Sequence, residues 1–142
     1  MRRILVAYDG GVHGRAALVL AARLARAFTA RVDVVSVVPG GFAARDDRGI
    51  DTAIAHARSL VEAREALRGE GIDAGLVEPA GDPAETIVRL AEEGGYDTLI
   101  VGASRGAAGR TDAGDGVVSR LAVTAGTTLI VARDRGDASA PA

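Results

Sequence analysis

Two glycine-rich stretches carry the residues best suited to hold a ligand. Asp9-Gly10-Gly11-Val12-His13-Gly14 follows the apolar run Ile4–Tyr8, and a longer stretch from Gly102 to Gly116 follows Thr98–Val101. Glycine lets a backbone approach a ligand closely and leaves N–H groups free to donate to anionic oxygens. The longer stretch leads into a predicted helix, Val117–Ala125, whose first amides and dipole favour an anion. Asp9 adds a carboxylate at the end of the first run, a pure acceptor when ionised. By themselves these residues leave a plainer reading open. Glycines after strands also serve as turns, Asp9 also serves as a helix cap, and the first loop does not match G-x-G-x-x-G.

Other chemistries find less support. Ser, His and Asp all occur, yet no G-x-S-x-G elbow does, and the chain has only two histidines. His13 falls beside the first glycine loop. His56 falls among charged neighbours on a predicted helix and is expected at the surface. Asp46, Asp47 and Asp51 read as a solvated loop rather than a cation site. No catalytic residue and no metal ligand is assigned. The chain has no Cys, which excludes a thiol nucleophile, a disulfide scaffold and a Cys-ligated metal. It also has no Lys and no Asn, so a Walker-type lysine, a Schiff base and an Asn-linked glycan are excluded. All 17 basic residues are Arg, and the net charge of −2 argues against a general nucleic-acid binder. Ile4–Ala7 is too short for a signal-peptide core, and no stretch approaches a membrane span. A cytoplasmic protein with neither nucleic acid nor membrane as partner is expected.

These loops need a scaffold, and 142 residues supply one domain's worth. With 48% hydrophobic and only 3% aromatic residues, the core must be built from Ala, Val, Leu and Ile. Short apolar runs alternate with helical patterns. Strands are expected at Ile4–Tyr8, Arg31–Val38, Ile72–Glu78, Thr98–Val101 and Thr127–Ala132. The first helix is expected from Arg15 to Phe28, with Ala17, Leu20, Ala21, Leu24 and Phe28 on its apolar stripe. A mobile polar loop from Pro39 to about Gly49 leads to a helix capped by Asp51 and running to about Arg68, with Ile54, Ala57, Leu60, Val61, Ala63 and Leu67 buried. Asp82-Pro83-Ala84-Glu85 is the clearest local signal: an N-cap, a proline where its missing N–H costs nothing, and an acid in the first turn. Gly94 and Gly95 stop that helix. Strand and helix thus alternate four times before a last strand. The fold class is therefore α/β, a mainly parallel sheet with helices on both faces. The domain is taken as residues 1–133, and 134–142 as a disordered polar tail.

Several runs carry a more specific likeness. Arg3-Ile4-Leu5-Val6-Ala7-Tyr8-Asp9-Gly10, the Ala/Leu/Arg helix after it and Val34-Val35-Ser36-Val37-Val38-Pro39 resemble the opening of a universal stress protein. Gly81-Asp82-Pro83-Ala84-Glu85-Thr86-Ile87 resembles the family's third-helix start, and Tyr96-Asp97-Thr98-Leu99-Ile100-Val101-Gly102 its fourth strand. The resemblance covers about residues 3 to 132. It implies a three-layer α/β/α sandwich with strand order 3-2-1-4-5. It implies an adenine nucleotide as ligand: ATP, with or without Mg²⁺, or ADP or AMP. It implies a homodimer through the edge strand Thr127–Ala132, and a regulatory protein of stress responses acting on a partner the sequence does not name.

The implied nucleotide-binding residues are Ala7, Tyr8, Asp9, Val37, Val38, Val101 and Gly102 at the nucleoside, and Ser104, Arg105, Gly106, Gly116, Val117, Val118 and Ser119 at the phosphates. ATP-binding members carry Gly, two residues, Gly, nine residues, then Gly followed by Ser or Thr. Gly106, Ala107 to Asp115 and Gly116 keep the second spacing. The first glycine's register falls on Ala103, one residue past Gly102, and the hydroxyl position is Val117. Asp112 and Asp115 sit between the last two glycines. An aspartate 5 Å from a phosphate costs on the order of 3 kcal/mol at an effective dielectric of 20, unless Mg²⁺ bridges them or Arg105 and Arg110 compensate. These departures keep a second reading open, a dimeric adaptor of the same fold that binds no nucleotide. A third, an enzyme of the wider adenine-nucleotide hydrolase class, lacks any insertion to build a substrate pocket. Slow ATP hydrolysis is left undecided, since no residue offers itself as general base.

Overall fold

Ile4, Leu5 and Val6 are wholly buried, as a strand covered on both faces requires. They form the heart of β1 (Arg3–Ala7). In the computed structural model the chain continues through α1 (Val12–Phe28), β2 (Arg31–Val35), α2 (Asp47–Gly69), β3 (Gly75–Val77), α3 (Pro83–Glu93), β4 (Thr98–Gly102) and β5 (Thr128–Ala132). The described residues are 1–38, 47–103, 118–122 and 126–134, with side chains described from residue 53 onward in α2; residues 118–122 are helical. The strands form one parallel sheet in the order β3-β2-β1-β4-β5. This is the α/β architecture expected from the sequence.

Strand alternation divides the core into two layers. Ile4, Val6, Tyr8, Val32, Val34 and Ile100 pack under α1 and α2, against Ala17, Leu18, Ala21, Leu60, Ala63 and Leu67. Leu5, Val35, Val37, Leu99 and Val101 pack on the opposite face against Ile87 and Ala91 of α3 and against Leu121. The many alanines of α1 let that helix lie close to the sheet. α3 begins as its sequence predicts. Asp82 is the N-cap, its carboxylate accepts from the Glu85 N–H at 3.0 Å, and Pro83 holds the first helical position. Arg120 reaches across to the same carboxylate at 3.1 Å, tying the helical residues 118–122 to α3.

Several expected boundaries shift. α1 starts at Val12 rather than Arg15, so Gly14 belongs to the helix and not to the loop. β2 ends at Val35, and its extended continuation regains a single bridge at Val38–Ala80. α2 starts at Asp47, a turn before Asp51, because residues 48–50 sustain the helix and a cap residue inside a helix does not begin it. Ile54, Ala57 and Val61 are exposed, Ile54 by 52% and Val61 by 45%. Among the described side chains of α2, the buried ones are Leu60, Ala63 and Leu67. β3 spans Gly75–Val77 rather than Ile72–Glu78, and β5 starts one residue late, at Thr128. Of the loop expected from Pro39 to about Gly49, residues 47–49 are helical and 39–46 lie outside the described residues, as do the tail at 135–142 and residues 117 and 123–125 of the last predicted helix.

At the amino edge of the sheet, a charged cluster replaces apolar packing. Asp33 sits inside β2, where its carboxylate accepts from the Tyr96 hydroxyl at 2.5 Å. Arg3 lies 3.9 Å from that carboxylate and 4.6 Å from the centre of the Tyr96 ring, and it donates to the Gly94 carbonyl. Gly75, opposite Asp33 in the ladder, leaves room for it: a Cβ there would stand 2.2 Å from Asp33 Oδ1. Gly75 interrupts the apolar run of the third strand, and its missing side chain is what admits the carboxylate. Burial, and then donation to Asp33 and its negative charge, push the Tyr96 phenol up to about 12 from its ordinary 10.0. The unfolded chain therefore ionises first as pH rises. The stability that neutral Tyr96 contributes is complete below pH 10 and disappears as pH approaches 12. Denaturant midpoints measured from pH 8 to pH 12 are expected to fall more steeply above pH 10 for the parent protein than for Tyr96→Phe.

Candidate functional site

Strand order reverses between β1 and β4, and a ligand in such a sheet binds past the carboxyl ends at that point. Ala7 stands opposite Val35 on one side and Val101 on the other. This places Ala7, Asp9, Val37, Val101 and Gly102 around one opening at the ends of three adjacent strands. Ala7 is half-buried and packs toward the α3 layer with Val37 and Val101. The Tyr8 ring turns the other way and is buried under α1 and α2, so only its backbone borders the opening. Burial raises the Tyr8 phenol, and Arg15 opposes that rise.

The first glycine loop is shaped by its side chains. Asp9 Oδ1 accepts from the Gly11 N–H at 2.8 Å, turning the chain into α1. The Asp9 side chain is otherwise exposed. Gly11 is the N-cap of α1 and gives it no side-chain cap. Gly14 packs against both Asp9 and Tyr8: a Cβ there would lie 2.9 Å from Asp9 Oδ1 and 2.9 Å from Tyr8 Cδ2. On the other flank, a Cβ on Gly102 would lie 2.5 Å from the His13 carbonyl carbon and 2.6 Å from the Gly14 nitrogen. His13 Nδ1 also accepts from the Asp134 N–H at 2.9 Å, linking the chain after β5 to the first turn of α1.

The break in β2 has a consequence for backbone groups. The Ser36 N–H donates to Val77 O at 3.1 Å and the Val38 N–H to Pro79 O at 2.8 Å, while Val38 O accepts from Gly81 N–H at 3.0 Å. Ser36 and Val38 thus face β3. Alternation turns the Val37 N–H and C=O the opposite way, past the end of β1, whose last bond to β2 is Tyr8 N–H to Val35 O at 3.0 Å. Among the described residues these two Val37 groups have no backbone partner. Of the two positions expected at the nucleoside, Val37 offers free backbone groups and Val38 does not.

One pairing escaped the sequence reading. His56 is not a surface residue: it is half-buried, and its Nδ1 is hydrogen-bonded to Ser36 Oγ, which is 2% exposed. Two signals pointed there. Ser36 is a lone hydroxyl in the apolar run Val34–Val38, and a buried hydroxyl needs a partner. His56 lies four residues before Leu60, on the buried stripe. Of the remaining expected site residues, Val118 is half-buried against the α3 layer and Ser119 is exposed. Ser104, Arg105, Gly106, Gly116 and Val117 lie outside the described residues, as do Arg110, Asp112 and Asp115. Among the described residues no group of side chains could hold a metal ion, and no helix is long and apolar enough to cross a membrane.

The model of the universal stress protein family matches residues 1–133. The chain belongs to that family. No curated protein sequence matches it. A universal stress protein from Archaeoglobus fulgidus is similar in structure, with a TM-score of 0.80 and 24% identity over 93% of this chain and 98% of that one. The Archaeoglobus protein in complex with dAMP gives a TM-score of 0.74 and 23% identity, again over 93% and 98%. A family member from Burkholderia pseudomallei gives 0.71 and 25% over 91% and 93%. Other universal stress proteins of this fold were solved with cAMP and, from Arabidopsis thaliana, with AMP. The strand order and the helices of the present chain are those of the family fold. Within it, the contact of Gly102 with α1 fixes the mouth of the opening. Gly102→Ala is expected to destabilise the protein by about 1–3 kcal/mol through overpacking against backbone that cannot give way, read as a lower denaturant midpoint.

Proposed function

We propose that the protein is a small cytoplasmic regulatory protein of the stress response that binds ATP in the opening between β1, β2 and β4. One observation carries the reading. Val37 is only 9% exposed, yet its N–H and C=O are unpartnered among the described residues and face the opening. A buried donor and acceptor left unpaired cost free energy. The edge of a purine, with adjacent donor and acceptor, satisfies both. The exposed Asp9 carboxylate beside them suits a ribose hydroxyl. Relatives solved with dAMP, cAMP and AMP support an adenine nucleotide as ligand. Ala7, Tyr8, Val38, Val101 and Gly102 complete the nucleoside pocket in this proposal. Ser104, Arg105, Gly106, Gly116, Val117, Val118 and Ser119 take the phosphates, with Mg²⁺ offsetting Asp112 and Asp115. The domain is residues 1–133, and 134–142 is a tail.

Nucleotide released from the denatured, freshly purified protein is expected to be ATP by chromatography and mass. Calorimetric titration with ATP, ADP and AMP then ranks the phosphates. Asp9→Ala, losing one charged hydrogen bond, is expected to weaken ATP binding about ten- to a hundredfold. Unchanged affinity in Asp9→Ala and Gly106→Val would overturn the site. No released nucleotide and no heat up to millimolar concentration would leave the dimeric adaptor as the function.

The second partner in the proposal is another copy of the chain. β5 is the edge of the sheet, its Val131 is 44% exposed, and Leu129 and Ile130 are only half-buried. An uncovered apolar edge invites pairing. A homodimer through Thr127–Ala132 is expected by light scattering at tens of micromolar, and Val131→Lys is expected to shift the mass to the monomer. A monomeric parent protein refutes the dimer.

A further inference from the structure

α2 is longer than the sheet it covers. Its carboxyl end is level with the last turn of α1, where Arg26 Nη1 meets Glu70 Oε2 at 2.8 Å. Higher up, Ser59 Oγ lies 3.1 Å from where a Cβ on Gly10 would stand. Gly10 is already past the end of β1. His56 meets Ser36, one residue past the end of β2, so the residues before it, Asp47–Ala55, extend beyond the strand ends, about 14 Å of chain at the rise of an α-helix. Ile54 and Ala57 are exposed for the same reason as Val61 beside the sheet: they lie on the outward face of the helix, off the line of His56, Leu60, Ala63 and Leu67. Among the side chains described, the wholly buried stripe of α2 begins at Leu60, and above it His56 and Ala53 are half-buried.

A polar contact stands at the base of this overhang. His56, with Ala53 a turn above it, is half-buried on the inward side, and its Nδ1 is joined to Ser36 Oγ. Ser36 immediately precedes Val37, whose backbone groups face the opening. The hydrogen bond thus couples the overhanging helix to the strand end beside the site. We infer that the amino-terminal half of α2 is one wall of the nucleotide cleft, and that the Ser36–His56 hydrogen bond is the pin that sets its position. His56 is a positioning residue: it acts through Ser36 and the Val37 backbone. The inference rests on the nucleotide reading above for its ligand, but the pin itself can be tested without one.

The chain has no Cys, so nitroxide labels can be placed at Val12→Cys on α1 and Ile54→Cys on the overhang, both at exposed positions. Pulsed electron resonance is expected to give one narrow distance in the parent and a broad distribution in His56→Ala. His56→Asn, which keeps a hydrogen-bonding nitrogen near the Nδ1 position, is expected to restore the narrow one. In calorimetry the Kd for ATP is expected to rise about five- to tenfold in His56→Ala, the scale of one hydrogen bond, and to recover in His56→Asn. Ser36→Ala and the double variant are expected to match His56→Ala rather than add to it. A His56→Ala protein with the parent's label distance and the parent's Kd overturns the inference. A parent that binds no ATP, ADP or AMP overturns the nucleotide reading instead, and the label distances alone then decide the pin.

Discussion

The close approach of the strand ends to the first turn of α1 is the constraint on which the rest of the opening depends. It needs two missing side chains. Gly14 makes room for the Tyr8 ring and the Asp9 carboxylate, and Gly102 makes room for the His13 backbone. With both in place, α1 begins directly over the ends of β1 and β4, and the loop between β1 and α1 closes in a few residues around Asp9. A Cβ at Gly102 would meet the backbone of His13 and Gly14, so α1 would have to lift, and one at Gly14 would displace the Tyr8 ring and the Asp9 carboxylate. The Asp9 carboxylate, the Val37 backbone and the mouth at Gly102 would then no longer share one opening.

The two edges of the sheet divide their work. The amino edge is closed by polar contacts, with Arg3 Nε buried there and unpartnered among the described residues. Asp97 accepts from the N–H groups of Arg2 and Arg3 at 2.7 and 3.1 Å, which holds its carboxyl below the usual range, and Asp33 gathers Tyr96 and Arg3. The carboxyl edge is the reverse. There β2 leaves its ladder, α1 starts without a side-chain cap, and the Val37 N–H and C=O have no backbone partner among the described residues. A parallel sheet concentrates unpaired backbone at its loop ends, and this one keeps it where a ligand can reach.

How much of this was legible in the sequence follows from which forces acted locally. The layer order and the start of α3 were legible because apolar runs, glycine stops and Asp82-Pro83 act over a few residues. The resemblance supplied the strand order, which apolar periodicity alone does not. The start of α1 was misplaced because Gly14 reads locally as a breaker. Its helical place depends on Tyr8 and Asp9 packing across it. Gly75 reads as a defect until Asp33 stands opposite. Ile54, Ala57 and Val61 fit a helical stripe as well as Leu60 does. Only the roll of α2 on the sheet, which tertiary packing sets, decides which of them faces a strand. His56 was misread for the same reason: its partner is twenty residues away in sequence, on another element.

The short interruption of β2 is where these observations meet. Had β2 continued its pairing with β1 through Val38, Val37 would carry ladder bonds on the β1 side and the opening would be filled by strand. Instead β1 ends at Ala7, Asp9 turns the chain away, and β2 runs on with only its β3 side engaged, through Ser36 and Val38. Among the described residues the N–H and C=O of Val37, a buried residue, have no backbone partner, and a buried polar group left without one costs on the order of 1–3 kcal/mol. A small domain carries such a cost only where something offsets it. Packing offsets part: Val37 itself is buried against the α3 layer, and Ser36 anchors α2 from the other face. What packing leaves over is a donor and an acceptor, side by side, held in place by two helices. That is the complement of a planar ligand presenting the same pair in reverse.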